Sequence, residues 1–148
     1  MQAEHVHLLV EALDKRALSA GLRGLSIRIA RAVNRLVFRR GQFWADRWHG
    51  RALTSPRAVR HALPYVLANF RKHHPADEAP LDPFSSAPYF HHFVGLSGAP
   101  VHSAPHLVPR ALAPPGPPPT AQPETWLLRT GWLRHGRIGL FEKPRTAS

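Results

Sequence analysis

Leu18, Leu22, Leu25, Ile29, Val33 and Leu36 recur at spacings of three and four, with no proline to interrupt them. An apolar stripe of that period is one face of a long amphipathic helix, and such a face has to be covered by a second layer, most simply a sheet. Asp14 stands where an N-cap is needed, and Gly41 is the expected terminator. Gly21 and Gly24 weaken the early part of the helix. Arg28, Arg31, Arg35 and Arg39 form a second stripe at similar spacing, which is either a solvated face or a face for DNA.

The flanking segments supply the rest of the expected layer. Residues 5–12 read as a strand, with His5, His7 and Leu9 on one face and Val6, Leu8 and Val10 on the other. The segment "QFWADRWHGRAL" is aromatic, of mixed polarity and without helical period, so it too reads as a strand. Ser55-Pro56 then starts a second helix, Ser as cap and Pro at the first helical position. That helix is expected to run to about His74, with Val59, Leu63, Val66, Leu67 and Phe70 as its apolar face. Pro64 inside it removes a hydrogen bond to the Arg60 carbonyl and is expected to kink or split it, at a cost of about 3 kcal/mol in a regular interior. The organisation expected is one domain over residues 1–95, a Pro-rich spacer over 96–124, and a basic, Trp-containing segment over 125–148 that docks on the domain or touches nucleic acid.

Composition narrows the function. Twenty Lys and Arg against nine Asp and Glu give a net charge of +11, which predicts attraction to a polyanion, nucleic acid being the commonest. A GC-rich genome, whose codons inflate Arg, Ala and Pro, accounts for part of the excess. The chain has no cysteine, which excludes disulfides, thiolate metal sites and thiol catalysis. No apolar run is long enough to span a bilayer, and Glu4 and His5 lie where a basic-then-apolar leader would begin; the expected compartment is the cytoplasm.

The chemistry-bearing residues are few. His5 and His7, two apart on a strand, point the same way with Cα atoms about 6.5–7 Å apart, so their imidazoles can converge on one metal ion. A His-x-His pair also arises by accident in a chain with eleven histidines. His61, Tyr65 and Asn69 are spaced by four and line one stripe of the second helix. A tyrosine hydroxyl can attack phosphorus and hold a cut strand covalently, and an asparagine carbonyl offers a third, hard ligand. The plainer role for Tyr65 is an amphipathic residue at a helix edge.

"EHVHLLVEA", the long Arg-rich helix, "FWADRWHGRAL" and "SPRAVRHALPYVLANFRKH" together resemble the REP-associated tyrosine transposases, which belong to the single-tyrosine HUH transposases. The likeness runs in order over residues 4–93 and more weakly, through "DPFSSAPYF" and "TWLLRTGWLRHG", to about residue 140. It implies an α+β fold, a small antiparallel ferredoxin-like sheet with helices on one face and the histidine pair on a central strand. It implies Tyr65 as nucleophile and His5, His7 and Asn69 around Mg2+ or Mn2+. The substrate implied is single-stranded or hairpin DNA, cut and rejoined without an external energy source, with Tyr65 acting in cis or across a homodimer.

The DNA-contacting set expected is Arg28, Arg31, Arg35 and Arg39, joined by Arg47 and His49 and by His61, Arg71 and Lys72 on the second helix. The sequence departs from the family pattern in having Glu4 where Asn is usual and Pro64 before Tyr65. It also reaches the histidine pair without the usual preceding strand–helix–strand unit, so the expected sheet lacks its N-terminal part. A truncated chain that only binds nucleic acid is the alternative function.

Overall fold

A computed structural model describes residues 5–68, 81–82, 84–95, 117–118 and 120–142. The chain forms two compact units, Val10–Ala52 and Met1–Leu9 together with Leu53–Ser148. No helix among the described residues is long and apolar enough to cross a membrane.

The first unit is built on helix α1, Lys15–Leu36. Asp14 caps it as expected, its carboxylate accepting the Ala17 N–H at 2.7 Å. The stripe Leu18, Leu22, Leu25, Ile29 and Val33 is half-buried, Leu36 is exposed, and no residue of α1 is fully buried. The terminator is not Gly41. The helix ends at Leu36, with Phe38 at φ 53° and the Phe38 and Arg39 N–H groups donating to the carbonyls of Arg35 and Asn34. These two bonds are a Schellman closure, in which the left-handed residue is ordinarily glycine. Phe38 is 97% exposed, so no packing compensates for its strained backbone. Phe38→Gly is therefore expected to stabilise the protein by about 1 kcal/mol, read as a higher urea midpoint at unchanged slope.

The segment expected to form a strand after α1 forms none, nor do residues 5–12. A strand exists only where a neighbour takes up its N–H and C=O groups, and the two strands among the described residues both lie in the other unit. Residues 41–44 are tied to α1 by side chains instead. The Asn34 amide donates to the Gly41 carbonyl at 3.0 Å, and the Trp44 indole N–H donates to the Ser26 carbonyl at 3.0 Å. Trp44, with the Phe43 ring edge-on at 4.8 Å, thus serves packing.

The second unit is organised around helix α2, Pro56–Leu67, capped by the Ser55 hydroxyl accepting from Ala58 N–H at 3.2 Å. Val59, Leu63, Pro64 and Leu67 are buried; Val66 is half-buried. The helix is not split at Pro64. It closes at Leu67, with the Ala68 N–H bonded to the Pro64 carbonyl at 2.9 Å. Phe70 and the rest of the expected helix to His74 lie outside the described residues. Tertiary contacts offset the missing bond at Arg60: Pro64 is itself in the core, and the Arg60 side chain is anchored far along the chain.

That anchor is the C-terminal segment. Thr125 caps helix α3, Trp126–Arg129, and a 3-10 turn, Gly131–His135, follows. Both pack on α2. Trp132 is 1% exposed, its indole N–H donating to the Leu128 carbonyl at 3.1 Å. Around it lie Val59, Leu63, Leu67, Leu81, Ala87, Phe93, Ile138 and Leu140. Phe90 stacks against both Phe93 and Trp132, at centroid distances of 5.0 and 5.8 Å.

Strand β1, Phe93–Val94, pairs with β2, Ile138–Gly139, and the pairing is parallel. The class is α+β, but this two-stranded parallel sheet takes the place of the antiparallel ferredoxin-like sheet that was expected. The long chain between Val94 and Ile138, carrying α3 and the 3-10 turn, supplies the crossover that parallel pairing requires.

Arg60 donates four hydrogen bonds across more than seventy residues of chain: to the carbonyls of Gly136 and Arg137, each at 2.8 Å, and to both oxygens of Glu142 at 2.8 and 2.7 Å. The pair is well shielded, Arg60 at 11% and Glu142 at 31% side-chain exposure. Hydrogen bonding from Arg60 holds the Glu142 carboxyl below its ordinary value, against the upward push of burial, with help from the Gly139 N–H and the charges of Arg60 and His61. Because the folded pKa is depressed, the linked stability is present above the unfolded pKa and lost as pH falls through the folded one. Glu142→Gln is expected to destabilise by about 1–2 kcal/mol at neutral pH. Urea titrations should show that gap from wild type closing as pH drops below the usual carboxylate range.

Candidate active site

His5, His7 and Tyr65 belong to the same compact unit. The imidazole of His7 meets the Tyr65 ring edge-on, 4.8 Å between centroids and 74° between planes. Tyr65 projects from α2 and is 38% exposed, so its ring is held by His7 on a surface that solvent and a ligand can reach. His5 lies beside His7, centroids 6.3 Å apart and planes tilted by 40°. His5 is exposed and His7 half-buried. The local cause is the alternation of the segment: Leu9 packs against the core beside the histidines, while Val6 and Leu8 face solvent.

His61 stands one turn before Tyr65 on α2, half-buried, and its charge acts on Glu142. Asn69, Arg71 and Lys72 lie outside the described residues. Arg28, Arg31, Arg35, Arg39, Arg47 and His49 are all exposed, and all belong to the Val10–Ala52 unit. Arg28, Arg31 and Arg35 lie on α1 at the expected spacing. Arg39 lies beyond the helix end, where its guanidinium donates to the Gln42 carbonyl at 3.2 Å.

The donors in the site suit a divalent ion in kind: two imidazoles near a phenol, with an amide two residues past the end of α2 in sequence. Two imidazoles bound cis to one ion at about 2.1 Å hold their centroids roughly 5 Å apart. The 6.3 Å observed is wider than that, so the two rings as they stand are not set for one ion. No group of three or more His, Asp or Glu that could hold a metal is present among the described residues.

The sequence reading missed three residues that shape this unit. Arg60 and Glu142 sit 82 positions apart with no local pattern to link them. Trp132 was legible only as one of four tryptophans, although Thr125 ahead of "WLLR" is a cap signal for the segment that carries it.

No protein-family model, no curated protein and no solved structure matches the chain.

Proposed function

We propose that this protein nicks and rejoins single-stranded DNA through Tyr65, as the resemblance to the REP-associated tyrosine transposases implies. The observation that carries the reading is the contact of Tyr65 with His7, beside His5, by residues 58 positions apart in the sequence. The Tyr65 hydroxyl oxygen attacks a backbone phosphorus in line, and its proton passes to the solvent to which the residue is open. The P–O bond to one neighbouring sugar breaks, and the departing oxygen takes a proton from solvent, leaving a free hydroxyl on that end and a phosphotyrosine on the other. Attack by a DNA hydroxyl on the phosphotyrosine reverses the step and restores the phenol, so rejoining needs no nucleotide cofactor. His5 and His7, with Asn69, would hold Mg2+ or Mn2+, which when bound neutralises the non-bridging phosphate oxygens. The exposed arginines of α1 supply sequence-independent affinity for the backbone.

A second reading is a protein that binds DNA without cutting it, favoured by the width of the histidine pair. A labelled hairpin oligonucleotide separates the two. Cleavage is expected with Mg2+ or Mn2+ and is expected to stop in EDTA and in His5→Ala and His7→Ala, with DNA affinity largely kept. Undiminished cleavage in EDTA removes the metal from the mechanism, and no cleavage under any condition leaves the binding-only protein.

A further inference from the structure

The C-terminal segment turns one aromatic face inward, through Trp132, and another outward. Trp126 is 50% exposed. Its position is nevertheless fixed. A Cβ added to Gly131 would lie 2.9, 3.0 and 3.1 Å from three consecutive carbons of the indole, and such near-equal distances put Gly131 under the ring's face, not beyond its edge. Arg134 follows Gly131 by three residues in the 3-10 turn, where side chains three apart eclipse. Its guanidinium carbon is 5.0 Å from the Trp126 ring centre. The indole is therefore laid flat on Gly131 and Arg134, and the residue stays half exposed. Arg129, exposed, is three residues past Trp126 on α3 and so neighbours it on the same face. Glu142, on the same segment, is paired with Arg60 and not with Arg129 or Arg134.

We propose that Trp126, with Arg129 and Arg134, is a stacking platform for an unpaired base of single-stranded DNA. The immobilised indole offers a π-face at little entropic cost, and a guanidinium on its far side strengthens the stack. Arg129, exposed beside the ring, meets a phosphate next to the stacked base. Duplex DNA, with its bases already stacked on one another, cannot use the indole. The inference rests on the nucleic-acid half of the function proposed above and not on Tyr65 chemistry.

Binding of the full chain to a fluorescein-labelled oligo(dT) of about 20 nucleotides, followed by anisotropy, tests it. Trp126→Ala is expected to weaken binding about tenfold, and Trp126→Phe by no more than about threefold. Gly131→Ala is expected to weaken binding less than Trp126→Ala does, because the added Cβ displaces the ring from its seat without removing it. Arg129→Gln is expected to lower the slope of log affinity against log salt by about one. If Trp126→Ala fails to fold, Trp126→Leu, which keeps apolar bulk and loses the π-face, and Arg129→Gln decide alone. Variants that bind oligo(dT) as the wild type does overturn the platform and leave the DNA-binding reading standing. An equal loss on duplex DNA overturns stacking as its basis. A wild-type chain that does not bind oligo(dT) at low salt overturns both, whereas loss of cleavage alone in Tyr65→Phe touches neither.

Discussion

Tyr65→Phe is expected to remove the covalent protein–DNA adduct completely while leaving folding and DNA affinity in place. The substitution deletes one oxygen. The ring that meets His7 at 4.8 Å stays, as does its seat on α2, so the change in stability should fall within about 0.5 kcal/mol, as for most surface substitutions. The hydroxyl proposed as nucleophile is gone, and no other atom at that position can form an ester with phosphorus. Labelled DNA that migrates with the wild-type chain on a denaturing gel should run free in the variant. Tyr89, in the 3-10 turn Ala87–Tyr89, is the only other tyrosine, and Tyr89→Phe should keep the adduct. An adduct that survives Tyr65→Phe removes this residue from the chemistry.

What the sequence made legible is what local chemistry decides. Asp14 and Ser55-Pro56 act on N–H groups a few residues away, and both helices begin where these residues put them. The end of α1 was misread because the closure there needs a left-handed residue, and Phe38 fills that place where glycine is the rule. The strands were misread for a different cause. Alternation in residues 5–12 and the aromatic, mixed-polarity composition of 42–53 are local signals, but a strand also needs a partner, and partnership is set by distant chain. The pair that does form, Phe93–Val94 with Ile138–Gly139, is too short to leave a periodic signal. The approach of His7 to Tyr65 was not readable from spacing, since spacing within each element says nothing about their meeting. Arg60 and Glu142 show the same limit: each is an unremarkable charge in sequence, and only folding makes them a bidentate pair.

Trp132→Ala is expected to unfold the unit that carries His5, His7 and Tyr65. Trp132 is 1% exposed and is the largest side chain in the core that joins α2, the C-terminal segment and the parallel strand pair. Truncation removes its contacts with Phe90 and His92, at centroid distances of 5.8 and 5.4 Å, and its hydrogen bond to the Leu128 carbonyl. Such a change costs about 3–5 kcal/mol in a packed core. A small domain is stable by only about 5–15 kcal/mol in all, and among the described residues few buried side chains share the load. The near-UV circular dichroism of this unit should collapse, and the DNA adduct should vanish with it, because α2 is what presents Tyr65. Trp132→Phe keeps an aromatic ring against Phe90 and should retain both signals at reduced stability. A Trp132→Ala chain with wild-type urea midpoint would mean that the C-terminal segment is dispensable to the core. The Arg60–Glu142 pair would then hold a flap and not a wall, and Glu142→Gln should prove equally silent.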